Sequence, residues 1–243
     1  MLNQTQWNKA GPDLEKVIRL HREGLRGSVT AVQEAHRLLE RLRIEHPGDP
    51  LADAYHGNIM ILIARDKTKP LEKLNWSKSG LKLLDAAATA APKDGMIRLL
   101  RGKSTYMLPE KYFRRADTAI EDYTFLIERE KRGEGFLEKE EYWQLVYELG
   151  EAYRRVGRNA DAAETWGKLA KETTDPDFLG LLKFRMQSLE GKPPVESIPP
   201  PRTGTSIMLE VAARATGSAF QSFGGQLEQR EFDRKKRKKK RRR

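Results

Sequence analysis

The 243-residue chain contains no cysteine, which excludes disulfides, thiolate metal sites and a cysteine nucleophile. It also has no long apolar run. The longest, Ile59 to Ala64, falls far short of the ~20 residues a membrane-spanning helix needs. The segment from Met1 to Trp7 lacks the basic start and apolar centre of a secretory leader, so the expected location is cytoplasmic. Strand-like alternation is scarce. Histidine is limited to His21, His36, His46 and His56, which fall on separate expected helix faces or turns. No two of them have ligand spacing on one face, so surface or groove positions are expected and no metal site. Phosphate-cradling glycine loops, a Gly-x-Ser-x-Gly elbow and a His-Glu-x-x-His helix are all missing. The acidic run Glu138-Lys139-Glu140-Glu141 reads as a favourably charged helix start. The expectation is a non-enzymatic protein with no cofactor.

Helical periodicity dominates what is present. With 38% hydrophobic and 33% charged residues, the composition suits a folded core beneath a heavily charged surface. Apolar spacing and turn signals predict helices over 15–26, 29–45, 51–64, 71–91, 95–107, 112–130, 136–157 and 160–172. Asp175-Pro176-Asp177 opens one more helix, carrying Phe178, Leu181, Leu182, Arg185 and Leu189. The fold class expected is all-α, as about four helix pairs and a final capping helix within residues 1–190.

A small-to-large step recurs in the second member of each pair: Ala35-x3-Leu39, Gly80-x3-Leu84, Ala119-x3-Tyr123 and Ala162-x3-Trp166. Pro47 and Pro92 each follow their small residue by 12 positions, and Lys131 stands there in the third. The first members each carry one glycine, Gly24, Gly57, Gly102 and Gly150, where two helices can approach closely. The best-formed unit runs Val146-x2-Leu149-Gly150-x2-Tyr153, a turn at Gly157-Arg158-Asn159, Ala162-x3-Trp166, then Pro176. This unit resembles a tetratricopeptide repeat. The intervals between second-helix anchors are 45, 39 and 43 residues, against a family period of about 34. The array is therefore degenerate, and the extra length is expected in the turns at 65–70 and 108–111. Spacings near 40 also suit HEAT or armadillo solenoids, but the Leu-Gly-x2-Tyr element favours the tetratricopeptide pattern. A second stretch, Leu99-Leu100-Arg101-Gly102-x3-Tyr106-x-Leu108-Pro109 with Phe113 and Ala119-x2-Asp122-Tyr123, looks like bacterial repeat proteins of this type.

The resemblance implies a helix-turn-helix solenoid that binds a peptide or helix in a concave groove lined by the first helix of each pair. Carried over by register from the glycines, the groove positions are His21 and Leu25; Ala54, Asn58 and Ile61; Leu99, Lys103 and Tyr106; and Tyr147, Glu151 and Arg154. Some family members clamp a terminal carboxylate there. Tyr147 and Glu151 stand at two matching places, which argues against such a clamp in this chain.

The character changes after Glu190. Residues 191–206 read as a proline-rich linker. Residues 207–233 form a weakly amphipathic segment with Ile207, Met208, Val211, Ala215, Phe220, Phe223 and Leu227. Residues 234–243 are ten consecutive basic residues, Arg234, Lys235, Lys236, Arg237, Lys238, Lys239, Lys240, Arg241, Arg242 and Arg243. Without them 36 basic residues face 35 acidic ones, and the net charge falls from +11 to +1. The basic balance thus belongs to the tail, which is expected to be disordered when free. Its natural partners are anionic, either a membrane leaflet or nucleic acid without sequence preference. The functional expectation is a scaffold for a protein or peptide ligand, held at an anionic surface by its tail; the alternative is a nucleic-acid-binding protein using tail and groove. Location would then be cytoplasmic, peripheral to membrane or nucleoid, or nuclear in a eukaryote.

Overall fold

A computed structural model describes residues 11–191, which form ten helices and no strand. The linker beyond Gly191, the 207–233 segment and the basic tail lie outside the described residues. In chain order the helices are α1 (Gly11–Leu25), α2 (Val29–Glu45), α3 (Pro50–Asp66), α4 (Pro70–Ala90), α5 (Gly95–Met107), α6 (Glu110–Phe113), α7 (Ala116–Lys131), α8 (Lys139–Arg155), α9 (Asn159–Glu172) and α10 (Pro176–Gln187). The fold is all-α.

Aspartates start several of these helices. Asp49, Asp94 and Asp175 each accept two backbone N–H groups of the following turn, at 2.8–3.2 Å. These bonds satisfy donors that a helix start leaves without partners. The α8–α9 turn is closed by Gly157, whose φ of +79° a residue without Cβ adopts without strain.

Four pairs pack in sequence: α1 on α2, α3 on α4, α5 on α7, and α8 on α9. The second helix of each pair also packs on the next helix to begin, so that α2 meets α3, α4 meets α5, α7 meets α8 and α9 meets α10. Glycine makes each pairing close. A Cβ at Gly24 would stand 2.7 Å from Val32, at Gly102 2.8 Å from Tyr123, and at Gly150 2.1 Å from the Trp166 ring nitrogen. At Gly57 it would meet the Gly80 carbonyl oxygen at 2.6 Å, so two backbones touch there. The second-helix anchors Ala35, Leu39, Gly80, Leu84, Ala119, Tyr123, Ala162 and Trp166 are all buried.

Two departures from expectation have physical causes. The helix expected over 112–130 is broken at Arg114, which takes a left-handed φ of +51°. The Glu110 carboxylate then accepts from the N–H groups of Arg115 and Ala116 at 2.9 and 2.7 Å, starting α7 where Arg115 supplies no cap of its own. The extra length of the second pair is not in its turn, which comprises only residues 67–69. It lies in α3 and α4 themselves, of 17 and 21 residues.

The interior has two apolar clusters. One draws on α1 to α5 and the other on α5 and α7 to α10, with Met107 packed against both. Helix α3 is enclosed by α1, α2, α4 and α5, and eleven of its seventeen residues are buried.

The glycine contacts predict opposite effects of one substitution. Gly150→Ala should cost about 1–3 kcal/mol or more through overpacking on Trp166, and lower Tm by several degrees. Gly180→Ala on α10, where a Cβ meets nothing within 4 Å, should stabilise by about 0.5–1 kcal/mol. Calorimetry of the two variants checks both signs.

Candidate functional site

The four first-of-pair helices, α1, α3, α5 and α8, present polar side chains to one another inside the fold. His21 on α1 meets Asn58 Oδ1 at 2.7 Å, and Asn58 Nδ2 donates to Ser104 Oγ on α5 at 2.7 Å. The Asn58 oxygen can only accept, so the His21 proton sits on Nε2. Tyr55 stands edge-on to the same ring at 5.4 Å between centroids. Burial holds the His21 pKa below its ordinary value, and the bond to Asn58 opposes that shift.

The row continues through a buried carboxylate. Glu148 Oε2 accepts from Lys103 Nζ at 2.8 Å and from Tyr123 Oη at 2.7 Å, and Gln144 Nε2 donates to Oε1 at 3.0 Å. One turn further along α8, Glu151 accepts from Arg154 at 2.9 Å, and Arg185 of α10 approaches its other oxygen at 3.3 Å. Arg185 also donates to Tyr147 Oη at 2.9 Å. Tyr147 stacks on Trp166 and meets Phe178 of α10, both at 6.2 Å. The Arg155 guanidinium lies 4.1 Å from the centroid of the Tyr106 ring and donates to the Tyr106 carbonyl. Burial, with the Glu148 charge nearby, pushes the Tyr106 and Tyr123 hydroxyls well above the ordinary tyrosine range.

The expected groove residues therefore have two fates. Ala54, Asn58, Ile61, Tyr106, Tyr147 and Glu151 are buried and, contrary to a place on an open groove wall, form the interfaces between helices. In the second pair, α1 and α5 cover α3; in the fourth, α10 lies on α8 through Phe178 and Arg185. His21 is buried, and Leu25 and Leu99 are half-buried. Lys103 and Arg154 keep part of their side chains in solvent, at 33% and 39% exposure, while their charges are held by Glu148 and Glu151.

Two groupings escaped the sequence reading. Asp122, fully buried on α7, is gripped by Arg98 and Arg101 of α5 at 2.7–2.8 Å. His36 and His56, expected to be isolated, are hydrogen-bonded to each other at 2.8 Å across α2 and α3. Each directly adjoins a small residue at a close helix approach, Ala35 or Gly57, which was the available signal. Among the described residues, no three histidine or acidic side chains converge as metal ligands would.

No protein-family model matches this chain, and neither the curated proteins nor the solved structures yield a match.

The Glu148 centre generates a stability prediction. Glu148→Ala leaves Lys103, Tyr123 and Gln144 without their acceptor and should cost about 2–4 kcal/mol. Glu121→Ala, which removes a carboxylate with 60% exposure from the edge of the Arg98–Arg101 group, should cost less than about 1 kcal/mol. Urea unfolding of both variants measures the difference.

Proposed function

We propose that this chain is a degenerate tetratricopeptide-type scaffold, a solenoid of four helix pairs closed by α10. In this reading it is not an enzyme; it binds a protein or peptide ligand and is attached to an anionic surface by residues 234–243. The observation that supports it best is the recurring seat of Gly24, Gly57, Gly102 and Gly150 against the second helix of each pair. Helices that interlock in this way, each leaning on the next, form the repeat architecture that presents extended surfaces to other proteins. Lys103 and Arg154 are the charged groove positions that still reach solvent, and they are the expected contacts for a ligand. Buried Glu151 positions Arg154 and buried Glu148 positions Lys103, whereas the buried Asn58, Tyr106 and Tyr147 join helices rather than touch the ligand.

The nucleic-acid reading, in which groove and tail both bind phosphates, has less support because Lys103 and Arg154 are each paired with a buried carboxylate. Phosphate binding there would have to displace Glu148 and Glu151. The tail alone can bind anions, without sequence preference.

A salt titration against duplex DNA, RNA and anionic vesicles separates the two readings. Intact protein should bind with a steep salt dependence, up to a log–log slope of about −9 on duplex DNA if all ten tail charges engage phosphates. Protein ending at Asp233 should lose that binding and keep its helical signal and thermal transition. Binding that survives truncation and weakens in Lys103→Glu or Arg154→Glu would replace the scaffold reading with the nucleic-acid one.

A further inference from the structure

All four histidines fall between residues 21 and 56, and two of them are joined in a directed chain. Arg43 Nη1 stands 3.1 Å from His56 Nδ1. A guanidinium can only donate, so His56 Nδ1 accepts and the proton of its neutral ring sits on Nε2. That N–H donates to His36 Nδ1 at 2.8 Å, which leaves the His36 proton on Nε2, facing the Glu40 carboxylate at 3.5 Å. The chain from Arg43 through His56 and His36 to Glu40 runs in one direction and exists only while both rings are neutral. An additional proton must land on a nitrogen that is already accepting. On His56 Nδ1 it opposes the Arg43 donor; on His36 Nδ1 it opposes the His56 donor.

The surroundings keep this chain in place. Asp53 of α3 binds Arg43 and fixes its direction, and Trp76 of α4 stands edge-on to His36 at 5.3 Å between centroids. Several charges on the neighbouring helices are engaged elsewhere. Asp13 and Lys16 of α1 pair with Arg41 and Glu34, Glu72 of α4 pairs with Lys67 and Lys69, and Arg98 of α5 pairs with Glu121 and Asp122. Glu40 is the carboxylate facing His36 that favours a charged ring, and it is half in solvent, at 56% exposure.

We propose that the Arg43–His56–His36–Glu40 chain is a pH-operated latch between the first and second helix pairs, holding α2 against α3 while both imidazoles are neutral and releasing it when they take up protons.

The sign follows from linkage. Burial, with His36 and Arg43 adding to it, lowers the His56 pKa to about 3, and burial lowers His36 as well, against the pull of Glu40. Released histidines titrate near 6.5. The stability the latch contributes is therefore fully present above about pH 6.5 and is lost as the pH falls toward the folded-state values. Each proton taken up on release makes opening about tenfold easier per pH unit.

Hydrogen exchange of the full chain from about pH 7 to about pH 5, corrected for intrinsic rates, tests this. The opening equilibrium of α2 and α3 amides should rise about 10- to 100-fold per unit below pH 6.5, one or two protons being linked to opening. Amides of α8 and α9, which carry no histidine, should show no such rise. The double variant His36→Gln with His56→Gln should lower the slope by the protons these two rings take up, leaving at most the about tenfold per unit that His21 contributes when Asn58 of α3 is released, whereas His21→Gln should leave the share of His36 and His56 in place. A slope unchanged in the double variant, or one that disappears in His21→Gln, overturns the latch. If the double variant fails to fold, nitrogen-15 NMR of the unaltered protein decides. His36 and His56 should both be neutral Nε2–H tautomers at about pH 7, with His56 still neutral at about pH 5; a His56 that titrates near 6.5 overturns the proposal.

Discussion

The closeness of paired helices depends on four positions where a side chain has been left out. Once Gly24, Gly57, Gly102 and Gly150 let the second helix approach, Val32, Leu84, Tyr123 and Trp166 have space to fill and no alternative place to go. Interior packing at crystal-like density tolerates neither the extra methyl nor the void its partner would leave. The residue facing the glycine differs from pair to pair, so a close approach is made in each with a different side chain. At Gly57 the partner is itself a glycine, so α3 and α4 are set by backbone contact, and this is the pair whose helices run longest.

Polar chemistry joins neighbouring pairs. His21–Asn58, Asn58–Ser104 and Lys103–Glu148 connect α1 to α3, α3 to α5 and α5 to α8, one contact at each step. Apolar contacts are permissive about register, whereas a buried amide or carboxylate loses free energy unless its partner is in place. This row fixes how far each pair is displaced along the next. It also brings Lys103 to a defined point at the surface, with its charge already balanced.

Much of this architecture was legible in the sequence because it is local. Val29–Glu45 and Gly95–Met107 match their expected bounds, since a cap at one end and a turn at the other mark them. The glycines and second-helix anchors were visible as spacings. What stayed hidden is set by residues far apart in sequence. The burial of Tyr147 and Glu151 depends on where α10 comes to lie, and the meeting of His36 with His56 depends on the rotation of α2 against α3. The break at Arg114 was hidden for another reason: the Glu110 carboxylate takes the capping role that a residue at the start of α7 would ordinarily signal.

Helix α5 belongs to both halves of the interior, with Ile97 and Leu100 buried in the earlier cluster and Tyr106 in the later one. In the language of nearest-neighbour cooperativity, most of the coupling between the halves is concentrated on this one element. Fraying from either end can proceed pair by pair until it reaches α5, where continuing would strip the opposite half of one of its walls. The thirteen residues of α5, near the middle of the described chain, thus form a wall of both halves, and either end can open while that wall stays in place.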